Sequence, residues 1–252
     1  MPEGIHRDMA DMKKILIGAH RGAMCHAPEN SLAAFEKAID FGTYRIECDI
    51  RQTKDGHLVM MHDASVNRTT DGTGAVAEMS LEDLKRLRLG SENVPTLAES
   101  LTCVKGRCLM LLELKDEGIA ADVVRAVEAA DMIGDCTLIS FSEDNLLEAR
   151  RANPEVLIGF FHLEPKPIDP TKVVDEFGAS LLVVWPAAAQ PDVIGAAKAA
   201  GLHVRCGFRD DLTYEDSVEV FQRMVDMGVD EISCGRPDWI GRMIRERHPR
   251  AS

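Results

Sequence analysis

Aromatic residues are scarce in this chain, with 8 Phe, 2 Trp and 2 Tyr among 252 residues. So thin a supply disfavours a stacking surface for single-stranded nucleic acid. Positive charge is also short: Lys+Arg 29 stand against Asp+Glu 42, a formal net charge of −13. Nucleic acid or an anionic membrane would be repelled by that balance, although a local basic pocket for one small anion is compatible with it. The seven Cys, at 25, 48, 103, 108, 136, 206 and 234, include no C-x-x-C pair, and their odd number supplies neither a disulfide framework nor a zinc site. Most lie in apolar strand-like runs, where a free thiol behaves as a small hydrophobe, which points to a reducing compartment. No stretch approaches the ~18 apolar residues of a membrane span, and the first 14 residues hold no apolar signal core. A cytoplasmic protein without stable membrane insertion is expected.

Hydrophobic residues make up 45% of the chain, ample for a large core. Short β-rich apolar runs alternate with longer segments of helical period, the pattern of βα units on a parallel sheet. Eight such runs occur: Ile15–Ala19, Tyr44–Asp49, Cys108–Leu114, Thr137–Phe141, Val156–His162, Ser180–Trp185, His203–Phe208 and Asp230–Cys234. Helices are expected over Leu32–Phe41, capped by Asn30 or Ser31, over Asp192–Ala200 between Pro191 and Gly201, and over Tyr214–Met227 before Gly228. Eight strands with crossovers in this length predict an α/β fold of the (β/α)8 TIM-barrel type. A single barrel domain over 15–245 is expected, with 1–14 as an N-terminal extension. A doubly wound open sheet is the competing architecture, but no G-x-G-x-x-G opens the first helix.

One connection is out of scale. More than fifty residues separate the second and third strands, far beyond an ordinary βα loop. It holds the apolar run Leu58–Met61, the polar Asn67–Gly74, the segment Leu81–Leu87 and a helix near Leu97–Val104. Residues 58–104 read as a small insertion after strand two that caps the C-terminal mouth, where barrels carry their reactive groups.

The strand ends are rich in such groups. Strand one runs into His20-Arg21-Gly22, strand two contains Glu47-Cys48-Asp49, and strand three ends in Glu113-Leu114-Lys115. Glu47 and Asp49 are two apart, so both carboxylates face one side of their strand. Three hard oxygen donors at strand ends suit Mg²⁺ or Ca²⁺ better than zinc, with Mn²⁺ also admissible. His20 and His62 offer groups that titrate near neutral pH. Arg21 and Lys115 add cationic donors for a phosphate. His6, His57, His203 and His248 have no special setting, and His26 and His162 at most border the mouth. Together the groups describe a site for a phosphate ester.

These residues fall in a familiar order. His20-Arg21-Gly22 followed by Pro28-Glu29-Asn30-Ser31 resembles the H-R-G…P-E-N-S/T opening of glycerophosphodiester phosphodiesterases. Glu47-Cys48-Asp49, Thr53-Lys54-Asp55-Gly56, His62-Asp63, Arg68-Thr69-Thr70, Gly72-Thr73-Gly74, Pro95-Thr96-Leu97 and Glu113-Leu114-Lys115 follow in family order. The resemblance implies a (β/α)8 barrel with an insertion after strand two. It implies metal-dependent hydrolysis of glycerophosphodiesters, such as glycerophosphocholine and glycerophosphoethanolamine, to glycerol 3-phosphate and an alcohol. His20 and His62 match the acid/base pair, Glu47, Asp49 and Glu113 the ligands of one divalent cation, and Arg21 and Lys115 the phosphate contacts. Glu29, Asn30 and Asp63 match motif positions around them, with Glu29 and Asn30 read as ordering the first βα loop. The chain departs from the pattern at Arg205-Cys206-Gly207-Phe208 and at Cys234-Gly235-Arg236-Pro237-Asp238, where many relatives carry Trp-Thr-Val-Asn-like and Thr-Asp-x-Pro-like stretches. Phe208 or Trp185 is the candidate replacement for the apolar wall. A lysophospholipase D-like specificity is the alternative, and a non-catalytic phosphodiester-binding barrel is disfavoured because no expected acid or imidazole is missing. The expected partner is a small phosphodiester; a homo-oligomer is left open.

Overall fold

The computed structural model describes residues 15–247. The segment expected to be an N-terminal extension, 1–14, lies outside the described residues, as does His248. Nine strands and nine α-helices occur among the described residues. They begin with β1 (Leu16–Ala19), α1 (Leu32–Asp40), β2 (Arg45–Gln52) and β3 (Leu58–Met60). Next come α2 (Leu81–Arg86), α3 (Leu97–Val104), β4 (Leu109–Leu114), α4 (Ala120–Ala129), β5 (Cys136–Ile139) and α5 (Glu143–Ala152). Then follow β6 (Leu157–His162), α6 (Pro170–Phe177), β7 (Ala179–Val184), α7 (Pro191–Ala199), β8 (His203–Gly207), α8 (Tyr214–Asp226), β9 (Glu231–Cys234) and α9 (Pro237–Arg247).

Parallel pairing runs in the order β1-β9-β8-β7-β6-β5-β4-β2, and β1 pairs with β2 to close the ring. Eight parallel strands therefore form the expected (β/α)8 barrel, and the open doubly wound sheet is excluded. β3 is a ninth strand, lying antiparallel on β2 with Ile50 opposite Met60. It lengthens β2 to Gln52, three residues beyond the end expected from sequence. The helix punctuation is as chemistry demands. Ser31 caps α1 by accepting from Ala34 N at 3.1 Å, leaving Asn30 free for another task. Pro191 opens α7 and Thr213 caps α8, while Gly201 and Gly228 take the left-handed conformation just past the helix ends.

The segment after β2 divides in two. Val59, Met61, Val66, Val76, Leu84, Leu89 and Val94 form a small core of their own. Leu97, Leu101 and Val104 instead join the main core, so α3 is a barrel helix and not part of a cap. A capping box between Thr96 and Glu99 starts it cleanly. The rest of the segment packs around this small core beside β2, and it carries His62.

Inside the barrel the chemistry is uneven. Leu111, Ile139, Leu181 and Val183, with Phe161 against them, make an apolar half across β4 to β7. On the opposite side Glu231 is fully buried beside Arg205, with which it pairs, and within 3.6 Å of Arg45 Nε. A Cβ on Gly18 would lie 2.6 Å from Ser233 Cβ and 2.9 Å from Glu231 Oε1, so glycine makes room for this buried pair. No helix of the described residues is long and apolar enough to cross a membrane.

Candidate active site

The backbone that follows β1 builds one side of the site. Arg21, Gly22 and Asn30 all have positive φ, at 52°, 75° and 57°. For Arg21 and Asn30 this is a costly left-handed conformation of the kind held in place at functional sites. The turn aims Arg21 N at Glu47 Oε2 (2.8 Å) and Gly22 N at Glu47 O (3.2 Å). Any Cβ on Gly22 would meet Ala34 at 2.8 Å, so the turn packs directly on α1.

Register brings the acids together. Glu47 and Asp49 share a face of β2, and Asp49 is the direct partner of Glu113 on β4. One carboxylate oxygen from each of the three lies within 4.8 Å of the others. All three residues are buried, at 8% exposure or less. Asp49 is clamped by Asn30, whose Nδ2 donates to Asp49 Oδ2 at 2.8 Å and whose Oδ1 accepts from Asp49 N at 3.1 Å. Its other oxygen, Oδ1, is buried without a hydrogen-bond partner. Lys115 Nζ donates to Glu113 Oε1 at 2.6 Å and stands 3.6 Å from Asp49 Oδ1, and Arg21 Nε is 3.5 Å from Asp49 Oδ2.

Burial and the negative charge of Asp49 push the Glu47 carboxyl up to about 7, and the same two causes raise Glu113. Three carboxylates at this spacing cannot all stay ionised alone, since like charges in a desolvated site favour protonation of one. The donor set fits a hard divalent cation: oxygen only, convergent, buried, with an orphaned carboxylate oxygen pointing among its neighbours.

Two imidazoles flank the acids, each about a third exposed. His20 Nδ1 is 2.7 Å from Asp210 Oδ2, and His62 Nδ1 is 2.7 Å from Asp63 Oδ1. Burial lowers the basicity of His20, but the Asp210 hydrogen bond and the charge of Glu47 outweigh it, and its pKa is raised. With Nδ1 spent on a carboxylate, each ring presents Nε2 as the remaining proton-transfer atom. Arg68 locks the second dyad, donating from Nε to Asp63 Oδ2 (2.7 Å) and from Nη1 to Glu29 Oε2 (2.6 Å). Glu29 in turn accepts from Arg21 Nη1 at 2.9 Å. Ion pairs thus run from Asp49 through Arg21, Glu29 and Arg68 to Asp63, whose hydrogen bond to His62 completes the chain.

A cavity of about 360 Å³ opens beside these groups and is lined by His20, Glu47 and Glu113 on one side. Trp185 and Phe208, the two candidates for an apolar wall, both line it, along with Leu111, Phe161 and Val183. His62, Asp49, Arg21, Lys115, Glu29, Asn30 and Asp63 are not among its lining residues. His26 pairs with Asp238 at 2.7 Å, and buried His162 also lies outside the lining.

Two contributions escaped sequence reasoning. Asp210 stands just beyond β8, and its partners His20 and Gly235 are distant in the chain, so nothing local marks it. Arg68 belongs to a motif that resembles the family's, yet its task of joining Glu29 to Asp63 is visible only in three dimensions.

The profile of the glycerophosphoryl diester phosphodiesterase family matches residues 20–239. A glycerophosphodiester phosphodiesterase of Caldanaerobacter subterraneus subsp. tengcongensis is 29% identical over 247 residues, an alignment covering 92% of this chain and 99% of that protein. Among solved structures, a glycerophosphodiester phosphodiesterase from Agrobacterium tumefaciens superimposes with a TM-score of 0.80 at 30% identity, covering 91% of this chain and 100% of its own. A phosphodiesterase of Oleispira antarctica, solved with the product sn-glycerol-3-phosphate, gives a TM-score of 0.80 at 26% identity over 91% of this chain and 96% of its own.

Proposed function

The chain belongs to the glycerophosphoryl diester phosphodiesterase family, and on that premise we propose that its barrel mouth hydrolyses glycerophosphodiesters, such as glycerophosphocholine and glycerophosphoethanolamine. The products are glycerol 3-phosphate and an alcohol. The observation that carries this reading is the convergence of Glu47, Asp49 and Glu113 within 4.8 Å, flanked by two carboxylate-oriented imidazoles. Glu47, Asp49 and Glu113 would hold a divalent cation, Mg²⁺ or Ca²⁺ with Mn²⁺ admissible, which would supply concentrated positive charge to the phosphoryl oxygens.

The chain's own groups do the rest. Arg21 and Lys115 border the acids and offer cationic donors to the non-bridging oxygens. The nucleophile is either water or a neighbouring hydroxyl of the substrate. One imidazole takes its proton as the new bond to phosphorus forms, and the other gives a proton to the departing alkoxide as the old P–O bond breaks. Asp63 and Asp210 hold the rings so that Nε2 faces the reaction. Asn30 keeps Asp49 in place from below.

Replacement of either imidazole tests the assignment. His20→Ala and His62→Ala are each expected to lower kcat by at least ~10²-fold while leaving the circular dichroism spectrum unchanged. Near-normal turnover in one variant removes that histidine from the proton-transfer steps. A lysophospholipase D-like preference is favoured by one observation, the apolar side of the cavity formed by Leu111, Phe161 and Val183.

A further inference from the structure

Strand β2 carries one more side chain beyond its two acids. Glu47, Asp49 and Arg51 alternate onto the same face, and Arg51, with its side chain 14% exposed, stands near the strand's end. The adjacent strand β3 stops at Met60, and Met61 N still bonds back to β2, donating to Asp49 O at 3.0 Å. At the next residue a side chain takes over from the backbone ladder: Arg51 Nε donates to the carbonyl of His62 at 3.0 Å. Nη1 of the same guanidinium pairs with Asp116 Oδ1, and Asp116 Oδ2 accepts from Gln52 N at 2.9 Å. Arg51 therefore bridges the loop after β4 and the backbone of the second imidazole.

That loop is itself built in. Asn145, 2% exposed, donates from Nδ2 to Asp116 O at 2.9 Å and accepts at Oδ1 from Gly118 N at 3.2 Å. Its amide also reaches Ser140 Oγ at 3.2 Å, and Ser140 donates to Leu114 O at 3.0 Å. Asp116 is thus fixed to β5 and α5, and Arg51 passes that constraint on to His62. Among the described residues the ion-pair partner of Arg51 is Asp116, not an acid of the cluster. A planar guanidinium suits the task, because its donors serve a carbonyl and a carboxylate at a set spacing. Asp63 turns the His62 ring, whereas Arg51 determines where the backbone beneath it stands. Resting on the phosphodiesterase reading, we propose that Arg51, braced by Asp116, is a positioning residue that holds His62 in place for proton transfer. An ångström of displacement at such a group costs up to ~10²-fold in rate.

The test is a double-mutant cycle on the full chain, read by steady-state hydrolysis of glycerophosphoethanolamine and glycerophosphocholine with Mg²⁺, Ca²⁺ or Mn²⁺. Arg51→Met removes both donors, and Asp116→Asn loosens the brace while keeping its shape. Each is made alone and together with His62→Ala. Arg51→Met is expected to lower kcat at least ~10-fold, with KM and the half-saturating cation concentration changed less than about twofold. In the His62→Ala background the same substitution should cost less than about twofold more, since no imidazole is left to position. Should Arg51→Met fail to fold, Asp116→Asn carries the same comparison with an expected loss of several-fold. Near-wild-type kcat in both variants refutes the role. An undiminished loss in the His62→Ala background, or a raised cation requirement, places the effect on the acid cluster or the fold and refutes it as well. In each of these cases turnover by the wild-type chain leaves the phosphodiesterase reading standing. If the wild-type chain cleaves neither diester with any of the three cations, that reading fails and this inference falls with it.

Discussion

His20 and His62 are prepared in the same way beside the acid cluster, each spending Nδ1 on an aspartate held by a second donor. For His62 the aspartate is its sequence neighbour, Asp63, fixed by Arg68. For His20 it is Asp210, which also accepts from Gly235 N. A Cβ on Gly235 would lie 2.9 Å from Asp210 Oδ1, so glycine is what admits the carboxylate there. The departure from the family pattern at Gly235 is therefore tied to the residue that orients His20. Asp210→Asn keeps the shape but removes the charge that fixes the imidazole tautomer. It is expected to lower kcat at least ~10²-fold with little change in KM; steady-state kinetics check this, and a change confined to KM contradicts it. The motif residues themselves were legible in the sequence, because their spacing is set by local chain geometry. Asn30 was legible as a helix cap or a loop-former, but its amide is committed to Asp49, while Ser31 caps the helix. Asp210 was not legible, since its meaning depends on a partner 190 residues away.

Among elements, the decisive contact is parallel pairing of β2 with β4, which sets Asp49 opposite Glu113. Strand existence was readable from apolar runs bounded by Gly and polar residues. β3 was visible as an apolar run but not as a strand, because antiparallel pairing with β2 is a tertiary event. For the same reason the destination of the apolar stripe on α3, the main core, is not written in its own residues. The ion pairs of Arg68 then tie the segment after β3 to the loop after β1. Arginine partners hold Asp63 and Glu29 below the ordinary carboxylate range. A carboxylate depressed on folding contributes stability above its unfolded pKa and loses it as pH falls through the folded value. Arg68 is 48% exposed, so its contribution is small. Arg68→Met should cost about 1 kcal/mol near neutral pH. The gap to wild type should begin to narrow below about pH 4 and go on shrinking as pH falls further, as urea unfolding at several pH values can show. A gap that persists undiminished in acid contradicts an ionic origin.

On the scale of the molecule, the barrel separates charge from apolar surface across its interior and sets the reaction centre where the two meet. The chain carries an overall charge of −13, and Arg21, Lys115 and the proposed cation would create a local reversal of it for one phosphate. We propose that buried Glu47, Asp49 and Glu113 serve as a cation site that activates a phosphodiester through that reversal. The most direct measurement is hydrolysis of glycerophosphoethanolamine by protein stripped with EDTA and then resupplied with Mg²⁺, Ca²⁺ or Mn²⁺. Turnover is predicted to fall at least ~10²-fold on stripping and to return with at least one of the three cations. Turnover that survives stripping undiminished would contradict it.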